Sequence, residues 1–213
     1  MNLLLRALGA VFQAWRGFQA LCIGRHQLSR LGRAGEGIRV GADVRFHGPR
    51  CIQVGDGVSI GARAILRAQE SYPWTDPPQL FTPRLEIRRG AFISHDCHLS
   101  CAHHIVIGED VMLADRCYVS DATHSYTDPG RSVKSQPVEI LGEVIIGDGS
   151  WIGSGCCITG PVTIGRHCVV GANSVVNRDL PDFCVAVGAP ARIVKRRDPV
   201  SGAWRRLPEL ERD

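Results

Sequence analysis

Ile146-Gly147-Asp148-Gly149-Ser150-Trp151-Ile152-Gly153-Ser154-Gly155-Cys156-Cys157-Ile158 is the stretch that decides how this chain folds. A branched apolar residue returns at every sixth position, and the series runs on through Ile164, Val170 and Val176. Gly follows it at Gly147, Gly153, Gly165 and Gly171, with Thr159 and Asn177 at the other two places. The same register appears upstream as Ile107, Leu113 and Val119, and again as Ile87, Ile93 and Leu99. Val54-Gly55, Ile60-Gly61, Val40-Gly41 and Phe46 extend it toward the N-terminus. This period means short strands joined by tight turns. The apolar side chain points inward, and the next residue accepts a crowded or unusual backbone, which Gly and Asn tolerate. Stacked rungs hydrogen-bond to the rungs above and below and bury one continuous apolar column. An ordinary sandwich would instead show alternating strands with irregular loops.

Composition agrees with stacked repeats. The 213 residues include 24 Gly, while aromatics make up only 6%, so the core must be built from small and branched side chains. The net charge of +4 is too weak to imply a nucleic-acid partner. Nine scattered cysteines form no evident disulfide framework and suit a reducing cytoplasm, where Cys serves as a small apolar residue.

Residues 1–35 stand outside the register, 36–197 carry it, and 198–213 form a tail. In residues 1–23, Leu4, Leu8, Val11, Trp15, Phe18 and Cys22 recur at helical spacing and predict an amphipathic helix. Its longest charge-free run is far short of the ~20 residues needed to span a bilayer. The helix is read as packing on the domain or on a neighbouring subunit. The other reading is peripheral contact with the inner face of the cell membrane.

Three segments resemble the hexapeptide-repeat acyltransferases, in the branch of the maltose, galactoside and xenobiotic O-acetyltransferases. They are Ile107-Gly108-Glu109-Asp110-Val111, the run from Ile146 to Gly153, and Gly188-Ala189-Pro190-Ala191-Arg192-Ile193-Val194. The resemblance implies an all-β, left-handed parallel β-helix with three hexapeptides per turn, assembled as a homotrimer with active sites between subunits. It also implies acetyl-CoA as acyl donor, without a metal, and a saccharide or lipid-linked saccharide as acceptor, as in cell-surface polysaccharide biosynthesis.

Repeat proteins carry chemistry where an insertion leaves the coil. The register breaks at residues 69–84, rich in Pro and containing Trp74, and at residues 121–141. The second break opens with Asp121-Ala122-Thr123-His124. Moving an acetyl group from a thioester to a hydroxyl needs a base near neutral pH, and imidazole suits that task. By resemblance, His124 occupies the place of the catalytic base, with direct transfer and no acyl-enzyme; Asp121 is a candidate to orient its ring. The resemblance further implies that the turn from Trp151 to Ser154 offers a backbone N–H to the oxyanion. It places the coenzyme on Ser154, Ala172, Asn177, Arg178, Arg192 and Lys195. Asn177-Arg178 replaces the family's Thr-Lys pair. Ser94 stands where the family has an acceptor-binding Asn, with Asp96 two positions on.

His95, Cys97, His98, Cys101, His103 and His104 crowd together, but their spacing matches no standard zinc pattern. These side chains are read as lining the acceptor groove. Cys156 and Cys157 are read as packing residues. N-acetylation of an amino sugar is the alternative reaction. A zinc hydratase of carbonic-anhydrase type and a non-catalytic β-helix scaffold are the alternatives from other classes.

Overall fold

The computed structural model describes residues 26–208. The N-terminal helix expected over residues 1–23 lies outside them. From Arg33 onward the chain winds into the left-handed parallel β-helix that the family resemblance implies, laying one short strand per coil on each of three faces. The first face stacks Arg33–Ala34, Ile52–Val54, Arg84–Ile87, His104–Ile107, Val144–Ile146 and Val162–Ile164. The second begins Arg39–Val40, Ser59–Ile60, Phe92–Ile93, Met112–Leu113, Trp151–Ile152 and Val169–Val170. The third stacks Arg45–His47, Ile65–Ala68, His98–Cys101, Tyr118–Ser120, Cys157–Thr159 and Val175–Val176.

Pairing is parallel and in register, so the period-six residues form inward ladders. Ile107 lies between Ile87 and Ile146, Leu113 between Ile93 and Ile152, and Val119 between Leu99 and Ile158. All nine are at most 2% exposed. Burying each such side chain is worth about 1.5–3 kcal/mol, which is why a core so poor in aromatics holds.

The turns divide the backbone demands between two positions. Immediately after the apolar residue the constraint is space: a Cβ on Gly153 would lie 2.6 Å from the Ala172 nitrogen of the next coil. The left-handed conformation comes two residues later, at Gly155 (φ +70) and at its equivalents Asp96, Arg116 and Asn173 (φ 58). The corner residues that follow are small. Cys97, Cys117 and Cys156 are buried there, and their thiols donate to the carbonyls of Ala114, Gly153 and Gly171 at 3.1, 3.2 and 3.1 Å. Cysteine thus fills a narrow corner while satisfying a buried carbonyl. Burial pushes the Cys156 and Cys157 thiols up, in keeping with packing rather than nucleophilic roles.

Both breaks leave the coil at one corner, between the third and first faces. After Ile65–Ala68 the chain forms a hairpin of Ser71–Tyr72 with Gln79–Leu80 and returns at Arg84–Ile87. After Tyr118–Ser120 it forms a second hairpin, Ala122–His124 with Val138–Ile140, and returns at Val144–Ile146. At the other end, Cys184–Gly188 continues the second face. Ala191–Arg197 and Trp204–Arg206 then add to it in antiparallel fashion.

Candidate active site

His124 ends the first strand of the second hairpin, in register with Val138. The first hairpin holds that register in place. Gln79 donates from Nε2 to the Val138 carbonyl at 2.8 Å and accepts the Val138 N–H at Oε1 at 2.9 Å. Tyr72 donates its hydroxyl to the Lys134 carbonyl at 2.6 Å, and its ring lies against the His124 ring with centroids 5.3 Å apart. The Lys134 ammonium sits 3.5 Å from the centroid of the Trp74 ring, a contact worth about 0.5–1 kcal/mol at an exposed site. Below them, Gln136 is buried and ties the loop's turn to the Asp128 and Arg131 carbonyls at 3.0 and 3.1 Å.

The His124 ring is exposed and makes no hydrogen bond among the described residues, so both nitrogens are free to meet a substrate. Of the hollows that open beside it, two are the larger. One is lined by Gln69, Ser100, Ser120, Tyr126, Val138 and Thr159 as well as His124. The other reaches along the third face past Trp74 to Arg67 and His47.

Asp121 does not orient the ring. It is fully buried and accepts the Ala102 and His103 N–H groups at 2.7 and 2.8 Å, which anchors the loop base to the preceding coil. Two backbone donors leave the carboxylate no reason to swing toward His124. What contacts the imidazole is Tyr72, a residue of the other break.

The residues assigned to the donor fall in three places. Ser154 and Ala172 lie on the corner between the second and third faces, joined through the Asn173 N–H to the Ser154 carbonyl at 2.9 Å. Asn177 and Arg178 follow the last strand of the third face, at the corner that carries the hairpins on earlier coils. Arg192 and Lys195 lie on the antiparallel strand that closes the second face, with Arg192 in register with Val187. Arg178, Arg192 and Lys195 have no carboxylate partner among the described residues, so their charge is available to a phosphate-bearing ligand. In the Trp151–Ser154 turn, the Trp151 and Gly153 N–H groups bind the Cys168 and Val170 carbonyls at 2.8 Å each. The Ser154 N–H makes no backbone bond there.

Ser94 and Asp96 also sit on the corner between the second and third faces, away from the His124 corner of the same chain. Ser94 is buried and bonded to Asp115, and Asp96 forms a forked ion pair with Arg63 at 2.7 and 2.6 Å. Arg63 holds the Asp96 carboxyl below its ordinary value. The crowded His/Cys stretch is dispersed by strand alternation. Cys97 and Cys101 point into the core, while His104 lies on the first face between Glu143 and Glu86, at 3.1 Å from each. Among the described residues no group of three His, Cys, Asp or Glu is placed to hold a metal.

Tyr72 and Gln79 were not singled out from the sequence. The signal was present: counting rungs puts the break at 69–84 and the break at 121–141 on one corner, two coils apart.

Comparison with known proteins agrees with this architecture. The bacterial transferase hexapeptide (six repeats) family profile matches residues 143–178. A Mycobacterium tuberculosis protein named as an acetyltransferase is 34% identical over 146 residues, covering 68% of this chain and 44% of that protein. A Schizosaccharomyces pombe protein also named as an acetyltransferase is 32% identical over 151 residues, covering 67% of this chain and 72% of that protein. An Escherichia coli protein named for O-acetyl transfer in lipopolysaccharide biosynthesis is 31% identical over 113 residues, covering 50% of this chain and 58% of that protein. The chain therefore spans less than two thirds of the mycobacterial and Escherichia coli relatives, and nearly three quarters of the yeast one. The hexapeptide profile match within a coil of period six, and the Schizosaccharomyces pombe relative matched over 72% of its length, establish that the chain belongs to the hexapeptide-repeat acyltransferase family.

Proposed function

We propose that this protein transfers an acetyl group from acetyl-CoA to a hydroxyl of a saccharide, with His124 as general base. A ring nitrogen of His124 takes the hydroxyl proton as the oxygen attacks the thioester carbonyl. The oxyanion forms beside the Ser154 N–H. Collapse expels the thiolate of coenzyme A, which receives the proton from the imidazolium. The observation that carries this reading is the exposed His124 imidazole, free of hydrogen bonds and backed by Tyr72, at the mouth of two hollows.

Assembly is part of the proposal. His124 occupies one corner of the coil, while Ser154, Ala172, Ser94 and Asp96 occupy another, so a neighbouring copy would complete the site in a homotrimer. The outer row of the second face supports association. Phe92, Met112, Trp151 and Val169 stand in register, and the first three are 41%, 41% and 47% exposed. A contiguous exposed apolar row of this kind marks an interaction surface. The Escherichia coli relative's name supports a cell-surface polysaccharide precursor as acceptor. Action in the cytoplasm, at the inner face of the membrane, follows from that acceptor.

The test is thiol release from acetyl-CoA over a panel of sugars and amino sugars, comparing wild type with His124→Ala. Acceptor-dependent release that falls by about 100-fold or more supports the base. Equal rates would make His124 a structural residue. Turnover confined to amino sugars would replace O- by N-acetylation.

A further inference from the structure

The hollow beside His124 has a cationic end that general-base chemistry does not use. His47, Arg67, Glu70, Tyr72, Trp74 and His124 all line it. Its volume of about 480 Å³ falls within the ~300–1,000 Å³ typical of small-molecule sites. Successive strands of the third face assemble this end. His47 stands in register with Arg67, and His98 on the following coil stands in register with Ile65, two residues before Arg67.

Some arginines of the coil are paired, as in Arg63–Asp96, Arg89–Glu109 and Arg166–Asp182, while others such as Arg45, Arg88 and Arg116 are unpaired but exposed to solvent. Arg67 has no ion pair and no hydrogen bond among the described residues. Its Nε and the Nε2 of His98 are buried without a partner, and no other buried side-chain nitrogen or oxygen among the described residues is left so. Folded proteins pair nearly all such groups, so two together ask for a ligand. Glu70 is the carboxylate that lines the hollow; it is exposed and meets the Cys51 thiol at 3.9 Å. Burial and the Arg67 charge push both imidazoles below their ordinary value, which marks a place short of negative charge.

We propose that His47 and Arg67, with His98 beside them on the next coil, form a subsite for a phosphoryl or diphosphoryl group carried by the acceptor sugar, whose hydroxyl meets His124 in the same hollow. The guanidinium fork matches phosphate oxygens, and the imidazoles add donors and charge as they take up protons. The role of His124 here rests on the acetyl-transfer reading; the phosphate subsite itself does not. A sugar linked to a nucleoside diphosphate and one linked to a lipid diphosphate present the same chemistry to these residues.

The full chain carrying His124→Ala is titrated calorimetrically with inorganic pyrophosphate, a uridine-diphosphate hexose, a short-chain polyprenyl-diphosphate hexose and the methyl glycoside of the same hexose. Pyrophosphate and both diphosphate-linked sugars bind more tightly than the glycoside, and adding Arg67→Met weakens them by at least tenfold. The tighter of the two linked sugars names the source, and either result supports the subsite. His47→Gln serves as the second variant should Arg67→Met fail to fold. Pyrophosphate that does not bind, or binds these variants as well as their parent, overturns the subsite. Diphosphate binding in a protein that releases no thiol with any acceptor would defeat the acetyl-transfer reading and leave the subsite standing.

Discussion

The aromatic rings of Tyr72 and His124 face each other at 5.3 Å between centroids, with their planes tilted by 57°. They come from separate interruptions of the same repeat. Tyr72 also binds the Lys134 carbonyl, and Gln79, on the partner strand of its hairpin, holds Val138 opposite His124. The first hairpin therefore shapes the second, and Tyr72 and Gln79 are positioning residues for the imidazole.

Tyr72→Phe keeps the ring contact and loses the bond to Lys134, whereas Tyr72→Ala loses both. The expected order of kcat is wild type, then Phe within about tenfold, then Ala well below it. KM for acetyl-CoA should change little, because these residues touch the imidazole and its loop rather than the donor. Gln79→Leu leaves the Val138 N–H and carbonyl without partners, each costing about 1–3 kcal/mol if still buried. Amide exchange within residues 121–141 should speed up in that variant. Equal kcat for Tyr72→Ala and wild type would remove Tyr72 from the account.

Asp121→Asn should act on stability rather than on proton transfer. The amide oxygen accepts one N–H, and its NH2 group opposes the other. The loss is about 1–3 kcal/mol of loop anchoring, read as a lower midpoint in urea. The pH profile of the remaining activity should keep its wild-type midpoint. A displaced midpoint at unchanged stability would return Asp121 to the role of ring orienter.

Trp151→Glu places a charge in the middle of the exposed row formed with Phe92, Met112 and Val169. Trp151 points outward, so the coil itself should fold. Sedimentation should show dissociation to single chains, and acetyl transfer should fall with it because the His124 corner of one chain no longer meets the Ser154 corner of the next. A variant that remains trimeric would move the interface to another face.

His98 and His47 carry a pH prediction of definite sign. Burial first, and Arg67 second, hold both below the ordinary value of 6.5. Above 6.5 neither state binds the proton, and stability is independent of these groups. As the pH falls through 6.5 the unfolded chain takes up protons that the folded chain resists. Stability then declines until the folded imidazoles are also protonated. Urea unfolding of wild type and His98→Gln at pH 7.5 and 5.5 should show the smaller loss in the variant. An equal loss in both would mean that His98 contributes nothing to the slope.

Much of this molecule was legible before any coordinates. The period of six identified Ile87, Ile107, Ile146 and their counterparts as core, since an inward ladder demands a branched apolar residue at each rung. The position of the unusual backbone was less legible. Reading the residue after each apolar position as crowded or unusual left two constraints undivided, and the turn assigns them to Gly153 and Gly155 separately. His124 could be found because a His at the base of an insertion breaks the pattern. Asp121 stayed only a candidate to orient the ring because a carboxylate beside a His has the same local sequence whether it serves the ring or the backbone.

By itself, then, the sequence determined the coil, its rungs, its corners and the two places where the chain departs from them. Those features depend on contacts that recur at a fixed spacing, so each repeat states the rule again. Tertiary structure alone decided that the two departures meet, that Tyr72 and Gln79 set the imidazole in place, and that Arg67 and His98 are left unpaired together. Such contacts occur once, between segments that no spacing rule connects, and they exist only after stacking has brought one corner of successive coils into line.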